Sequence, residues 1–197
     1  LVPTPPAPSL FASTSESTTG LRYTWTDNST SESGFRILED GSNNIKVLVT
    51  ADATATSETG LSANTQYARK VQAYNATGAS TSAAVSRYTS IEAAASATYE
   101  GITETAITIH SSNAPSSLDA GSSGIYFANT TNGTNSGWIR TNTWTSSSLT
   151  ANTAYSFTIT TRNGDGTLTA TTAAGSQTTA LVPTPPAPSL FASTSES

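Results

Sequence analysis

One histidine, a scatter of carboxylates, one Asn-Gly-Asp-Gly run and four Asn-x-Ser/Thr triplets are the residues of this chain that could do or receive chemistry. His110 is the only histidine, and the 197 residues contain no cysteine and no methionine. A lone imidazole completes neither a Cys–His pair nor a two-histidine metal site. His110 lies between Ile109 and Ser111, so strand alternation turns it away from the apolar face. Glu32, Glu39, Asp40, Asp52 and Glu58 are spread over loops and strand ends, with no spacing that marks an acid–base dyad. They read as solubilising surface charge.

Arg162-Asn163-Gly164-Asp165-Gly166 resembles part of a calcium loop but lacks the downstream Glu. Its Asn-Gly and Asp-Gly dipeptides are the chemistry of a hairpin turn, since both tolerate φ > 0. Asn28, Asn75, Asn129 and Asn132 each open an Asn-x-Ser/Thr sequence, the acceptor pattern for N-linked glycan in a secreted chain. The Thr-x-Thr runs read as ordinary polar strand faces. The expectation is a non-enzyme with no catalytic residue, no cofactor and no metal site, carrying glycosylation candidates at those four asparagines.

The composition sets further bounds. Thirteen acidic and eight basic side chains give a net charge of −5, a poor match to nucleic acid. Without cysteine there is neither a disulfide framework nor a Cys-ligated zinc site. No apolar run approaches the ~20 residues of a membrane helix. The chain shows no charged-then-apolar start of a signal peptide. Serine and threonine make up about a third of the residues, while Leu, Ile, Val and Phe are about a sixth. So little apolar content belongs to a disordered chain when net charge is high. Here the charge is low and apolar residues alternate with polar ones, as in Leu21-Arg22-Tyr23-Thr24-Trp25 and Ile45-Lys46-Val47-Leu48-Val49. Period two marks half-buried strands, and Thr suits their outward positions.

The chain repeats at two scales. Residues 181–197 are identical to residues 1–17, LVPTPPAPSLFASTSES, so the chain spans one 180-residue period and the start of the next. Inside the period, Leu61-Ser62-Ala63-Asn64-Thr65-Gln66-Tyr67 matches Leu149-Thr150-Ala151-Asn152-Thr153-Ala154-Tyr155 at an offset of 88. Each match leads into a strand and a Gly-containing turn. The reading is three parts: module one over 1–89, module two over 90–180, and the start of the next repeat over 181–197.

Turn residues divide each module into seven short strands. In module one they fall over 9–15, 21–26, 35–38, 46–50, 53–57, 66–74 and 83–88. In module two they fall over 95–99, 105–110, 124–129, 137–140, 143–147, 154–161 and 167–172. Strands of this size and spacing predict all-β sandwiches.

Module one resembles a fibronectin type III domain. The likeness rests on Pro6-x-Pro8-x-Leu10, Trp25 followed by Asp27-Asn28-Ser29, Gly34-Phe35-Arg36-Ile37, and Leu61-x-x-x-Thr65-x-Tyr67 leading to Val71-x-Ala73-x-Asn75-x-x-Gly78. Module two resembles the same family through Leu149 to Tyr155, but Ser111 stands where module one has Trp25, leaving Trp138 or Trp144 to fill that volume. The resemblance implies two consecutive Ig-like fibronectin type III sandwiches, three strands against four, plus the first-strand segment of a third. It also implies Trp25 in the core and tyrosine corners of Tyr67 with Leu61 and Tyr155 with Leu149. Some members carry an Arg-Gly-Asp integrin site on the last hairpin; this chain has Asn-Gly-Asp there.

Pro3, Pro5, Pro6 and Pro8 make the repeated leading segment extended and semi-rigid. It spaces modules, while modules one and two, lacking such a stretch between them, are joined more directly. The functional expectation is a structural repeat unit of an extracellular or cell-surface stalk or filament. Its partners are neighbouring copies of the same repeat, within or between chains, through residues 181–197. Two alternatives stand beside it. One is an adhesin module binding a surface glycan or protein through the 111–124 loop or clustered Tyr126, Trp138 and Trp144. The other is a spacer in a secreted polysaccharide-degrading enzyme.

Overall fold

A computed structural model describes residues 1–184; the expectation that a neighbouring copy holds the second leading segment rests largely on residues 185–197, outside the described residues. The described chain is all-β, and every paired strand is antiparallel.

The first sandwich is drawn from residues 9–88. One sheet has the order β1-β2-β5, from β1 (Ser9–Ser17), β2 (Gly20–Thr26) and β5 (Ala55–Thr59). The other has β4 (Ile45–Thr50), β3 (Gly34–Glu39) and β6 (Gln66–Asn75) in that order, with both β7 (Gly78–Thr81) and β8 (Val85–Tyr88) on β6. Alternation on β2 sends Leu21, Tyr23 and Trp25 inward to meet Phe35, Ile37, Val71 and Ala73. The Trp25 ring lies 5.3 Å from that of Phe35.

Glu58 is a correction to the surface-charge reading. It is only 6 % exposed and crosses the core from β5 to Arg69 on β6. Arg69 is bidentate, with Nη2 2.8 Å from Oε1 and Nε 2.9 Å from Oε2. Tyr23 donates its hydroxyl to the same Oε2 at 2.7 Å. Burial, and then the adjacent Glu58 carboxylate, push the Tyr23 hydroxyl pKa far up.

The second sandwich is drawn from residues 97–178. One sheet runs β13-β10-β9, from β13 (Thr143–Ser146), β10 (Ile107–Ser111) and β9 (Ala97–Glu100). The other runs β12-β11-β14-β15, from β12 (Asn135–Ile139), β11 (Gly124–Asn129), β14 (Ala154–Arg162) and β15 (Thr172–Thr178). The two sandwiches share no sheet. Ser111 is buried where the first sandwich has Trp25, and Trp144, opposite Ile109, packs against this core. Trp138 instead faces outward beside Tyr126.

Three strand expectations need correction. The closing strand of the first sandwich is split, giving three elements against five, because the Ser82 hydroxyl accepts the Val71 N–H and interrupts the ladder. The first strand of the second sandwich starts at Ala97, since the Ala95 and Ser96 amides bond to Asn113 and Ser112 side chains. The last strand is not 167–172 but Thr172–Thr178. Leu168 makes an isolated bridge to Arg162 and stays exposed, whereas Ala174 reaches the core.

Both tyrosine corners are closed by the same bond. Tyr67 Oη accepts the Ser62 N–H at 2.9 Å, and Tyr155 Oη accepts the Thr150 N–H at 2.9 Å. Leu149 is buried and Leu61 half-buried beneath them. Tyr67→Phe removes one such acceptor and leaves the ring in place. Its expected cost is about 1 kcal/mol in urea unfolding of the first sandwich.

Candidate functional site

A dense polar constellation lies where the two sandwiches meet. It begins at the corner loop before β6, where Asn64 adopts φ 45°. Asparagine tolerates this left-handed backbone. Asn64 is fully buried although it belongs to no core. Its Nδ2 donates to the Ser116 and Ser117 carbonyls at 2.9 and 2.8 Å and lies 2.8 Å from Ser123 Oγ. Its Oδ1 accepts the Gly164 N–H at 2.8 Å. Both ends of one amide are thus satisfied by the second sandwich, as a buried polar group requires.

The Asn163–Gly166 turn supplies the opposite half. Asn163 Oδ1 accepts the Asp165 and Thr167 amides, at 3.1 and 2.8 Å, and fixes the turn. This leaves Nδ2 free to donate to the Thr89 carbonyl of the first sandwich at 3.1 Å. Asp165 Oδ2 accepts the Tyr88 N–H at 2.9 Å and lies 3.4 Å from Arg87 Nη1. The Tyr88 ring lies directly on Gly164, where a Cβ would fall 2.4 Å from Cε1.

The connecting residues are equally fixed. Ile91 and Ala94 are buried, and the Glu92 carboxylate accepts the Ser116 N–H and Oγ–H at 2.9 and 2.6 Å. Burial works against the charged form of Glu92, but the two Ser116 bonds outweigh it and hold its pKa below the usual carboxylate value. A lowered folded pKa contributes stability above the unfolded value near 4.5 and loses it as pH falls through the folded value. The Ser116 amide resonance is therefore expected to move with an acid midpoint below 4.5, while Glu92→Gln abolishes that titration.

At the far end of the first sandwich a second, simpler clasp holds the leading segment. Asn75 Nδ2 donates to the Pro3 carbonyl at 2.7 Å and to Ser31 O at 3.0 Å. Asn28 Nδ2 donates to the Ala7 carbonyl at 2.9 Å. Pro5 is buried between these points and Pro8 just beyond them.

Three solved structures match the chain. A two-domain fibronectin type III segment from chicken tenascin matches with TM-score 0.58 and 17 % identity, over 87 % of this chain and 99 % of its own. The FN1–FN3 domains of chicken CNTN1 match with TM-score 0.40 and 18 % identity, over 91 % of this chain and 69 % of that one. The crystal structure of FN3tt matches with TM-score 0.39 and 23 % identity, over 45 % of this chain and 97 % of its own. The tenascin match shows the fold, a fibronectin type III pair. No protein-family model matches the chain, and no curated protein sequence does.

Within the fibronectin type III pair, the sequence-chosen residues are distributed as follows. Trp25 is a core residue; Tyr67 and Tyr155 close the corners above Leu61 and Leu149. Of the glycosylation candidates, Asn28 and Asn75 are engaged on the leading segment. Asn129 is fully buried with Nδ2 on Ser146 Oγ at 3.1 Å. Asn132 is exposed, its Oδ1 bound to Thr134. His110 faces outward, with Nε2 2.6 Å from Glu100 Oε1. Glu39 and Asp40 pair with Lys46 and Lys70 at the surface. Asp27, Glu32 and Asp52 converge, with ligand oxygens within 4.8 Å of one another, a grouping their spacing did not reveal.

In the 111–124 loop named in the adhesin alternative, Ser116, Ser117 and Ser123 are engaged in the joint. Of the three aromatic residues in that alternative, Tyr126 and Trp138 lie 5.3 Å apart, with the Arg162 guanidinium 4.3 Å over the indole, and Trp144 packs against the core.

Sequence reasoning assigned no role to Asn64, Tyr88 or Glu92, and read Asn163–Gly166 as a turn alone. One signal was present: Asn recurs in both corner loops, where the tyrosine corner itself does not use it. Gly164→Ala probes the joint, because Gly164 has no left-handed φ and the atoms nearest its Cβ would be those of the Tyr88 ring. We expect this variant to fold in both sandwiches yet lose protection of the Tyr88 amide in hydrogen exchange. Adding Tyr88→Ser should restore that protection.

Proposed function

We propose that the chain is a non-catalytic structural repeat unit of an extracellular, cell-surface stalk or filament. The observation that carries this reading is the identity of residues 181–197 with 1–17, which makes the unit self-continuing at a 180-residue period. Modules that fold on their own cores lengthen an array linearly as copies are added. Near-identity between copies disfavours a different ligand for each. Low charge, no cysteine and a Ser/Thr-rich surface suit a coat that needs no redox chemistry. Residues 181–197 bring in the next copy, within or between chains. The test is the flanking sequence. Many further copies are expected, and an adjoining catalytic domain would replace this reading with that of a spacer in a secreted polysaccharide-degrading enzyme.

The Tyr126–Trp138 pair with Arg162 favours a second reading, an adhesive face for a glycan, since aromatic planes stack on sugar rings. Quenching of tryptophan fluorescence by a surface glycan, lost in Trp138→Ala, would favour it.

A further inference from the structure

Successive copies of the unit meet at a junction that this chain records in two halves. The leading segment shows how module one receives what precedes it, and the far end of module two shows what a preceding copy offers. We infer that this junction differs in kind from the joint inside the unit, so that joints alternate along an array between a locked one and a proline-spaced one. This rests on the array reading above.

The equivalent residues make the comparison. Asn75 and Asn163 stand at the same place in their sandwiches, 88 residues apart, and each closes its own turn with Oδ1 while Nδ2 grips a preceding backbone carbonyl. Asn163 grips Thr89 and Asn75 grips Pro3. Thr89 corresponds to Thr179, since the Thr65 and Thr153 amides donate to these two hydroxyls in the same way. In a continuing array Pro3 lies four residues beyond that threonine. At ~3.1 Å per residue of extended chain, Ala180-Leu181-Val182-Pro183 can set the next sandwich up to about 12 Å further out.

The contacts of the locked joint are also missing from the two facing ends. Gly164, which must lack a side chain to lie under Tyr88, corresponds to Ala76. Tyr88, opposite Gln66, corresponds to Thr178, opposite Ala154. Asp165, which binds the Tyr88 amide, corresponds to Thr77. Asn152 keeps the backbone of Asn64, with φ 51° and its N–H on Ala180, so the turn itself is common to both corner loops. The clasp of Asn28 and Asn75, which holds the proline-rich segment, is therefore the surface of module one that receives a preceding copy.

The test uses a chain of two covalently linked copies, with spin labels at Ser42→Cys and Asn132→Cys, both exposed turn positions. One sample carries the pair within a copy; another carries Asn132 of the first copy and Ser42 of the second. Double electron–electron resonance is expected to give a narrow distance distribution within a copy and a broader one between copies. Asn64→Ala should broaden the first and leave the second unchanged. An inter-copy distribution as narrow as the intra-copy one, or an intra-copy one insensitive to Asn64→Ala, overturns the inference. Because the copies are covalently linked, the result is independent of whether native filaments exist.

Discussion

Arg69→Met is expected to destabilise the first sandwich by about 3–5 kcal/mol, the largest effect of any single substitution considered. Arg69 is 3 % exposed and Glu58 6 % exposed, and they join the two sheets through a bidentate contact. Removing the guanidinium leaves a carboxylate in the core with only the Tyr23 hydroxyl as partner. The double variant Glu58→Leu/Arg69→Met should recover most of the loss, because it removes the stranded charge along with its partner. Urea unfolding followed by the Trp25 indole resonance, which reports the first sandwich alone, measures both. A loss below about 1 kcal/mol for Arg69→Met would place the pair among exposed salt bridges, contrary to its burial.

Asn64→Ala carries the second large effect, and it acts between modules. The substitution leaves the Gly164 N–H and the Ser116 and Ser117 carbonyls without their partner. Each stranded buried group costs about 1–3 kcal/mol, but opening the joint lets water replace the lost bonds. The expected outcome is therefore two intact sandwiches that no longer unfold together, with a coupling loss of about 2–3 kcal/mol. Calorimetry should resolve one transition into two. Hydrogen exchange should show the Gly164 amide open. Asn64→Asp keeps an acceptor for Gly164 but gives up the donor, so its loss should be smaller at Gly164 than at Ser116. A Gly164 amide as protected in Asn64→Ala as in the parent chain would show that another contact carries the joint.

The fold was legible because its signals are local. Alternation in Leu21–Trp25 and in Ile107–Ile109 names the inward faces, and the Leu-to-Tyr spacing names each corner. Strand ends were less legible where side chains compete with the ladder, as Ser82, Ser112 and Asn113 do. Glu58 was misread because its partner is eleven residues away on the opposite sheet. Strand alternation alone does not bring those two residues together. The joint was hidden for a related reason. Asn64, Thr89, Ser116 and Gly164 are small polar or glycine residues in loops, each ordinary in its own turn. Only packing one sandwich end against the other gives them a common role. The joint uses backbone carbonyls and amides for most of its bonds, and these leave no trace in residue type.

As the repeating unit of an extended array, this chain should give native material a period visible by electron microscopy. Filaments or stalks are expected whose axial repeat matches two ~90-residue sandwiches, with close pairs separated by wider gaps. Dispersed monomers of the full-length protein, with no such repeat, would contradict it.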